Sequence, residues 1–202
     1  MSLKKIHDNQ PEKFEFTSKN MELVKNILNK YPENRKKSAV MPLLYLAQSQ
    51  NENWIPLAAL KYIGKLLSMP YINVYEIATF YTMYNLSPVG KYYVQVCTTS
   101  PCMLRGSNEI LKICEKKISK NQNTLSENGL CSWTEVECLG ACVNAPMIQV
   151  NKDYYEDLDK NSAERILDGF MQDDPLKPGS YRNRKSSAPD NITNKKNGSN
   201  NA

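Results

Sequence analysis

Two pairs of cysteines constrain this chain more than any other feature. Cys97 and Cys102 are spaced C-x4-C, and Cys138 and Cys142 are spaced C-x3-C. Each pair follows a stretch that reads as a β-strand. Residues 91–96 carry Tyr92, Tyr93, Val94 and Val96, all aromatic or β-branched, and a second strand covers 132–137. Between them, Leu104, Ile110, Leu111, Ile113 and Cys114 mark the apolar side of a helix over 104–117. Strand, helix and strand make a β-α-β unit, so the two strands are expected to be parallel with a right-handed crossover. Their C-terminal ends then lie on one edge of the sheet. Both cysteine loops open there, where open α/β sheets place their ligands.

Four thiolates on two short loops suit a cluster of two irons and two sulfides, with two thiolates per iron. Ferric ions, sulfides and thiolates then leave a charge of about −2, and about −3 after one-electron reduction. Backbone N–H groups aimed at the sulfurs offset such a charge, and Gly140 and Ala141 let the backbone come close. Arg105 and the N-terminus of the helix it is expected to open add positive potential.

Competing chemistries fit the spacing less well. A structural zinc site also accepts four cysteines, but it favours C-x2-C knuckles converging on one point; a zinc-bound interaction module stays open as the alternative of a different class. A thioredoxin-type dithiol needs C-x-x-C, which is absent. A Rieske centre needs two histidines, and His7 is the only one. The same scarcity removes a Cys–His nucleophile, and His7 reads as an ordinary solvated side chain. Cys114 falls on its helix's apolar side, and Cys131 lies seven positions before Cys138; both read as packing residues. No G-x-G-x-x-G or phosphate loop occurs, so the chain is expected to bind no nucleotide itself.

The rest of the chain frames this unit. Residues 1–20 read as a flexible, partly docked arm. Four amphipathic helices follow within 21–85: one over 21–31 ended by Pro32, one from Ser38 to about Gln50, one from Pro56, and one capped by Asn73 with Glu76 three residues on. After the second cysteine pair, 147–150 and 153–155 form a hairpin around Asn151-Lys152, and a last helix runs over 162–172. The order β-α-β-β-β-α over 86–172 resembles a thioredoxin-like domain. Residues 173–202 are polar and basic and read as a tail unable to order alone.

Charge excludes a nucleic-acid binder. The chain carries a net +5, of which the six Lys or Arg and three Asp of 173–202 supply +3, leaving a nearly neutral body. No run of 18 apolar residues exists, so no membrane insertion is expected. The first 17 residues lack an apolar core and carry Asp8, Glu12 and Glu15, unlike a secretory or transit signal. A reducing, cytoplasmic setting without disulfides is therefore expected.

The residues around both pairs resemble a known family. Val96-Cys97-Thr98-Thr99-Ser100-Pro101-Cys102-Met103-Leu104-Arg105-Gly106 and Glu137-Cys138-Leu139-Gly140-Ala141-Cys142-Val143-Asn144-Ala145-Pro146-Met147 resemble the small thioredoxin-like [2Fe-2S] subunits of respiratory NADH:quinone oxidoreductase, complex I. The likeness extends through Ala78-Thr79-Phe80-Tyr81-Thr82-Met83-Tyr84, Pro88-Val89-Gly90-Lys91 and Lys177-Pro178-Gly179, and so over roughly 15–180. It implies an α+β (α/β) fold, an N-terminal helical bundle followed by a thioredoxin-like [2Fe-2S] ferredoxin domain. It implies one [2Fe-2S] cluster on Cys97, Cys102, Cys138 and Cys142. The implied partner is an NADH- and FMN-binding flavoprotein subunit, with other peripheral-arm subunits, on the cytoplasmic face of the inner (plasma) membrane. The cluster would sit beside that flavin, off the main route to quinone, and hold an electron temporarily. The helical region and the Lys177-Pro178-Gly179 segment become docking surfaces. The same module also serves the diaphorase parts of NAD-linked hydrogenases and formate dehydrogenases, which spacing does not separate. The isomer of the Ala145–Pro146 bond stays open.

Overall fold

A computed structural model describes residues 5–187. It divides into two compact units, one ending at Val89 and one beginning at Gly90. Among the described residues, no helix is long and apolar enough to cross a membrane.

The first unit is helical: α1 (Ser18–Leu28), a 3-10 turn (Glu33–Ala39), α2 (Val40–Gln50), α3 (Leu57–Leu66) and α4 (Tyr71–Phe80). Leu43, Leu44, Leu60, Ile63 and Val74 lose all contact with solvent between these helices. Tyr84 joins them, its hydroxyl donating to the Met41 carbonyl at 3.0 Å. α1 starts three residues before its expected position because the Thr17 hydroxyl accepts from the Asn20 N–H and caps it. α4 corrects another expectation: it begins at Tyr71 after Pro70, so Asn73 lies inside the helix and does not cap it. Pro70 holds extended dihedrals there and its carbonyl accepts from the Asn73 N–H at 3.1 Å.

The N-terminal arm is docked on this unit. The Gln50 side chain bonds Glu15 and Thr17 backbone and the Asn20 side chain. Phe14 and Phe16 meet Tyr62 edge-on. His7 is half-buried, 5.6 Å from the Trp54 ring, with its backbone N–H on the Leu86 carbonyl.

The second unit is a mixed five-stranded sheet in the order β2-β1-β3-β4-β5, with β1 (Tyr92–Cys97), β2 (Cys131–Val136), β3 (Ile148–Val150), β4 (Asp153–Glu156) and β5 (Gly179–Ser180). β1 and β2 are parallel, as the β-α-β order requires, in the register Val94 opposite Trp133 and Cys97 opposite Val136. The crossover is broken in two: α5 (Ser100–Leu104) and α6 (Ser107–Lys117). Gly106 divides them at φ +102°, a left-handed turn that glycine adopts without strain. The helix expected over 104–117 thus starts at Ser107, and the loop expected before it holds α5, with Pro101 in its first turn.

α6 and α7 (Lys160–Met171) pack on the sheet with Ile110, Ile113, Ile166, Leu167 and Phe170 against Val94, Val96, Trp133 and Ile148. The β3–β4 hairpin turns at Asn151, whose side chain accepts from the Tyr93 N–H and donates to the Lys91 carbonyl, fixing the hairpin to β1. Gly90 is held at φ +80° with the Leu130 carbonyl oxygen 2.7 Å from where a Cβ would stand, so no larger residue fits there.

α7 begins with a capping box. Asp159 accepts from the Ser162 N–H at 2.7 Å, and the Ser162 hydroxyl accepts from the Asp159 N–H at 2.8 Å. The Ser162 backbone N–H holds the Asp159 carboxyl below its usual range. Asp159→Ala is expected to lower stability by about 1 kcal/mol at neutral pH. A lowered folded pKa gives a stabilisation that is full above the ordinary Asp value of about 4 and is lost as pH falls through the folded value. Melting curves of both proteins at pH 7 and pH 2 check this; their separation should close at the lower pH.

Beyond α7 the chain does not leave the domain. β5 pairs in parallel with β4, Tyr155 opposite Gly179 and Glu156 opposite Ser180. Tyr155 donates to the Leu176 carbonyl at 3.0 Å. Part of the expected tail, 173–187, thus pairs with and bonds to its own sheet while staying largely exposed; the remainder falls outside the described residues.

Candidate metal centre

Both cysteine loops emerge at one end of the parallel pair β1–β2. Cys97 closes β1, and Cys102 sits in α5 one helical turn onward; both are 1% exposed. Cys138 follows β2 by two residues and Cys142 opens a single 3-10 turn (Cys142–Asn144); both are exposed. The four sulfurs therefore grade from interior to surface across one sheet end.

The structure places all four expected residues at one end of the β1–β2 pair. Cys138 and Cys142 sulfurs are 3.5 Å apart, unbonded. Cys97 lies 3.5 Å from the Thr99 hydroxyl within its own loop. Across the loops the thiols act on one another electrostatically: Thr99 and Cys97 help to lower Cys138, and Cys97 helps to raise Cys102. Among the described residues, no three His, Cys, Asp or Glu side chains converge as a single-ion site would need.

Their protonation differs with their surroundings. The Gly140 N–H, 3.4 Å from the Cys138 sulfur, leads the hydrogen bonds that draw its thiol below the ordinary range. Gly140 itself holds φ +83°, which turns that N–H inward. Cys142 is raised by its hydrogen bond with Cys138. Burial pushes Cys102 up to about 12, with Cys97 adding to the effect.

Beneath the thiols lies a small apolar floor of Ala141, Ala145 and Met147, with Leu139 and Tyr154 at its edge. The Tyr154 hydroxyl donates to the Leu139 carbonyl at 2.7 Å and ties the floor to the second loop. The Ala145–Pro146 bond is cis. Around the open side stand Met103, Leu104 and Val143, of which Leu104 is 81% exposed. Four soft thiolates, backbone N–H donors at sulfur and one dry side form a donor set that fits an iron–sulfur cluster.

Other expectations resolve differently. Arg105 ends α5 and does not open the following helix; its N–H bonds the Pro101 and Cys102 carbonyls. Cys114 and Cys131 are buried in the sheet core, their thiols pushed by burial up to about 12, as packing residues should be. Thr99 and Tyr154 were not singled out by sequence. Thr99 lies between the paired cysteines, which is the signal that was available; nothing near Tyr154 marks it.

The thioredoxin-like [2Fe-2S] ferredoxin family matches residues 24–171. An NADH-quinone oxidoreductase subunit of Rickettsia typhi is 51% identical over 160 residues, covering 79% of this chain and 94% of that protein. An NADH-quinone oxidoreductase subunit of Rhizobium meliloti is 46% identical over 194 residues, covering 94% of this chain and 70% of that one. Among solved structures, an NAD+-reducing [NiFe]-hydrogenase in its H2-reduced state superposes with a TM-score of 0.57 at 16% identity. That match covers 66% of this chain but only 23% of the hydrogenase chain, and it bears on the fold alone. The chain is thus a homologue of subunits of an electron-transferring, multi-subunit oxidoreductase, and it belongs to the thioredoxin-like [2Fe-2S] ferredoxin family, whose cofactor is a [2Fe-2S] cluster.

Proposed function

We propose that this chain is the electron-carrying subunit of a respiratory NADH:quinone oxidoreductase and holds its cluster with Cys97, Cys102, Cys138 and Cys142. The observation that carries this reading is the opening of two cysteine loops at one sheet end, Cys97 closing β1 and Cys138 following β2 in parallel register. When bound, the cluster would supply a one-electron store, with no substrate atom transferred on this chain. The chain's own residues do the rest. Gly140 presents an N–H to sulfur, Met147 and Ala145 keep water from the inner side, and Tyr154 steadies the Leu139 backbone.

The partner is an NADH- and FMN-binding flavoprotein subunit, with this chain on the peripheral arm at the cytoplasmic membrane face. The exposed Met103, Leu104 and Val143 around the open thiols support a protein surface covering that end. The quinone-linked enzyme is favoured over a hydrogenase diaphorase because the relatives at 46% and 51% identity carry the quinone oxidoreductase name. The reaction class is that of a proton-translocating NADH:quinone oxidoreductase, with NADH oxidised on the partner and no substrate site on this chain.

Metal and sulfide analysis of anaerobically purified protein tests the reading. Iron and acid-labile sulfide are expected in equal amounts, with an EPR signal that arises only on reduction. Stoichiometric zinc without sulfide would overturn it in favour of a structural module.

A further inference from the structure

The second cysteine loop is held from outside by a segment that the cluster-binding motif does not include. Glu156, which ends β4, and Asp157, which follows it, are 1% and 2% exposed and lie directly beside it. The Asp157 N–H donates to the Asn144 carbonyl at 2.7 Å. The Asn144 side chain donates to Glu156 at 2.5 Å and to the Lys185 carbonyl at 2.9 Å. The Ser187 N–H donates to both Glu156 oxygens, and the Ser180 hydroxyl donates to Asp157 at 2.5 Å.

Arg184 joins these contacts. Its guanidinium grips Asp157 through Nε at 3.1 Å and through a terminal nitrogen, and that same nitrogen donates to the Val143 carbonyl at 2.9 Å. Val143 directly follows Cys142. One planar cation therefore links a buried carboxylate on the sheet to the backbone of a cysteine loop, a geometry an ammonium does not reproduce.

We propose that residues 179–187 form a strap that fixes the second cysteine loop for cluster retention, with Arg184 as its positioning residue. This rests on Cys138 and Cys142 being ligands. The loop they occupy is short, exposed and held in part by a left-handed glycine, so its own sequence gives it little rigidity. The contacts to Val143 and Asn144 supply that rigidity from the far side of Cys142.

The test compares the full chain with Arg184→Ala and Arg184→Lys by two readouts. The first is the rate at which an iron chelator strips the anaerobic cluster-loaded protein. The second is amide hydrogen exchange across 138–145 in both cluster-loaded and cluster-free protein. Arg184→Ala should lose iron about tenfold faster, the effect of one charge-assisted hydrogen bond. Exchange in 143–145 should quicken similarly while β1 and β3 stay protected.

Arg184→Lys keeps the ion pair with Asp157 and so keeps the fold. Its unfolding midpoint should stay near wild type while iron loss is still accelerated severalfold. Iron loss and loop exchange equal to wild type in the lysine variant, or exchange that rises evenly over the whole sheet in the alanine variant, would overturn the strap. A wild-type chain lacking iron would instead defeat the ligand assignment. The cluster-free exchange pattern would still decide the strap in that case.

Discussion

Serine in place of Cys102 or Cys142 is expected to remove most of the iron and sulfide from the purified protein, whereas Cys114→Ser leaves both in place. The contrast follows from location. Cys102 and Cys142 lie at opposite depths of one thiol group, and each is one of two sulfurs its loop offers. Serine's hydroxyl is a harder and far less acidic donor, so it is a much poorer ligand than a thiolate toward cluster iron. Cys114 is among Ile110, Ile113 and Cys131 in the core, away from that group. Its replacement by serine buries a hydroxyl and costs about 1–3 kcal/mol in stability without touching the reduced EPR signal. Metal and sulfide content with matched spectra check both halves. A cluster lost from a folded Cys114→Ser protein would show the ligand set to be wrong.

Phe170→Ala is expected to cost about 3–5 kcal/mol, enough to unfold the sheet unit of many chains of this size. Phe170 is 2% exposed, and its ring stands 4.7 Å from Tyr92 and 5.5 Å from Tyr155. It therefore pins α7 to both β1 and β4. Trp133 reports on this unit and Trp54 on the helical one, so denaturant titrations in a Trp54→Phe background isolate the loss. An unchanged slope with a lower midpoint would confirm a cavity without a change in surface exposed.

The sheet was legible in the sequence because its strands satisfy two demands at once. Tyr92, Val94 and Val96 favour extended backbone and also alternate toward the core, so local preference and burial agree. Parallel pairing then follows from chain order alone, and with it the convergence of the cysteine loops. Helix starts were less legible. Asn73 is a good cap by residue type, but Pro70 had already fixed the chain direction three residues earlier. α5 was hidden because Thr99-Ser100-Pro101 has the composition of a loop, although Pro101 suits a helix's first turn.

The strap was invisible for a different reason. Its strand is only Gly179–Ser180, and its hold comes from backbone groups and one guanidinium, with little apolar area involved. Hydrophobic periodicity carries no trace of such a segment. Glu156 and Asp157 gave no signal either: two acids at the end of a hairpin look solvated until Asn144 and Arg184 are found covering them. Burial raises the Asp157 carboxyl, yet the hydrogen bonds from Arg184 and Ser180 outweigh it and keep the group below its usual range.

The two outer strands of the sheet have one more consequence, for how other proteins can reach this one. At the β2 side, the Asn123 and Ser126 N–H groups already donate to the Trp133 and Cys131 carbonyls, and the Gln122 side chain accepts from the Glu135 N–H. At the other side, β5 occupies β4 and is itself only two residues long, with Pro178 just before it. Among the described residues, neither border offers the row of unpaired backbone groups that invites a foreign strand. Within those residues, recognition by strand addition is thereby disfavoured, which shifts the selection of what docks toward side-chain surfaces.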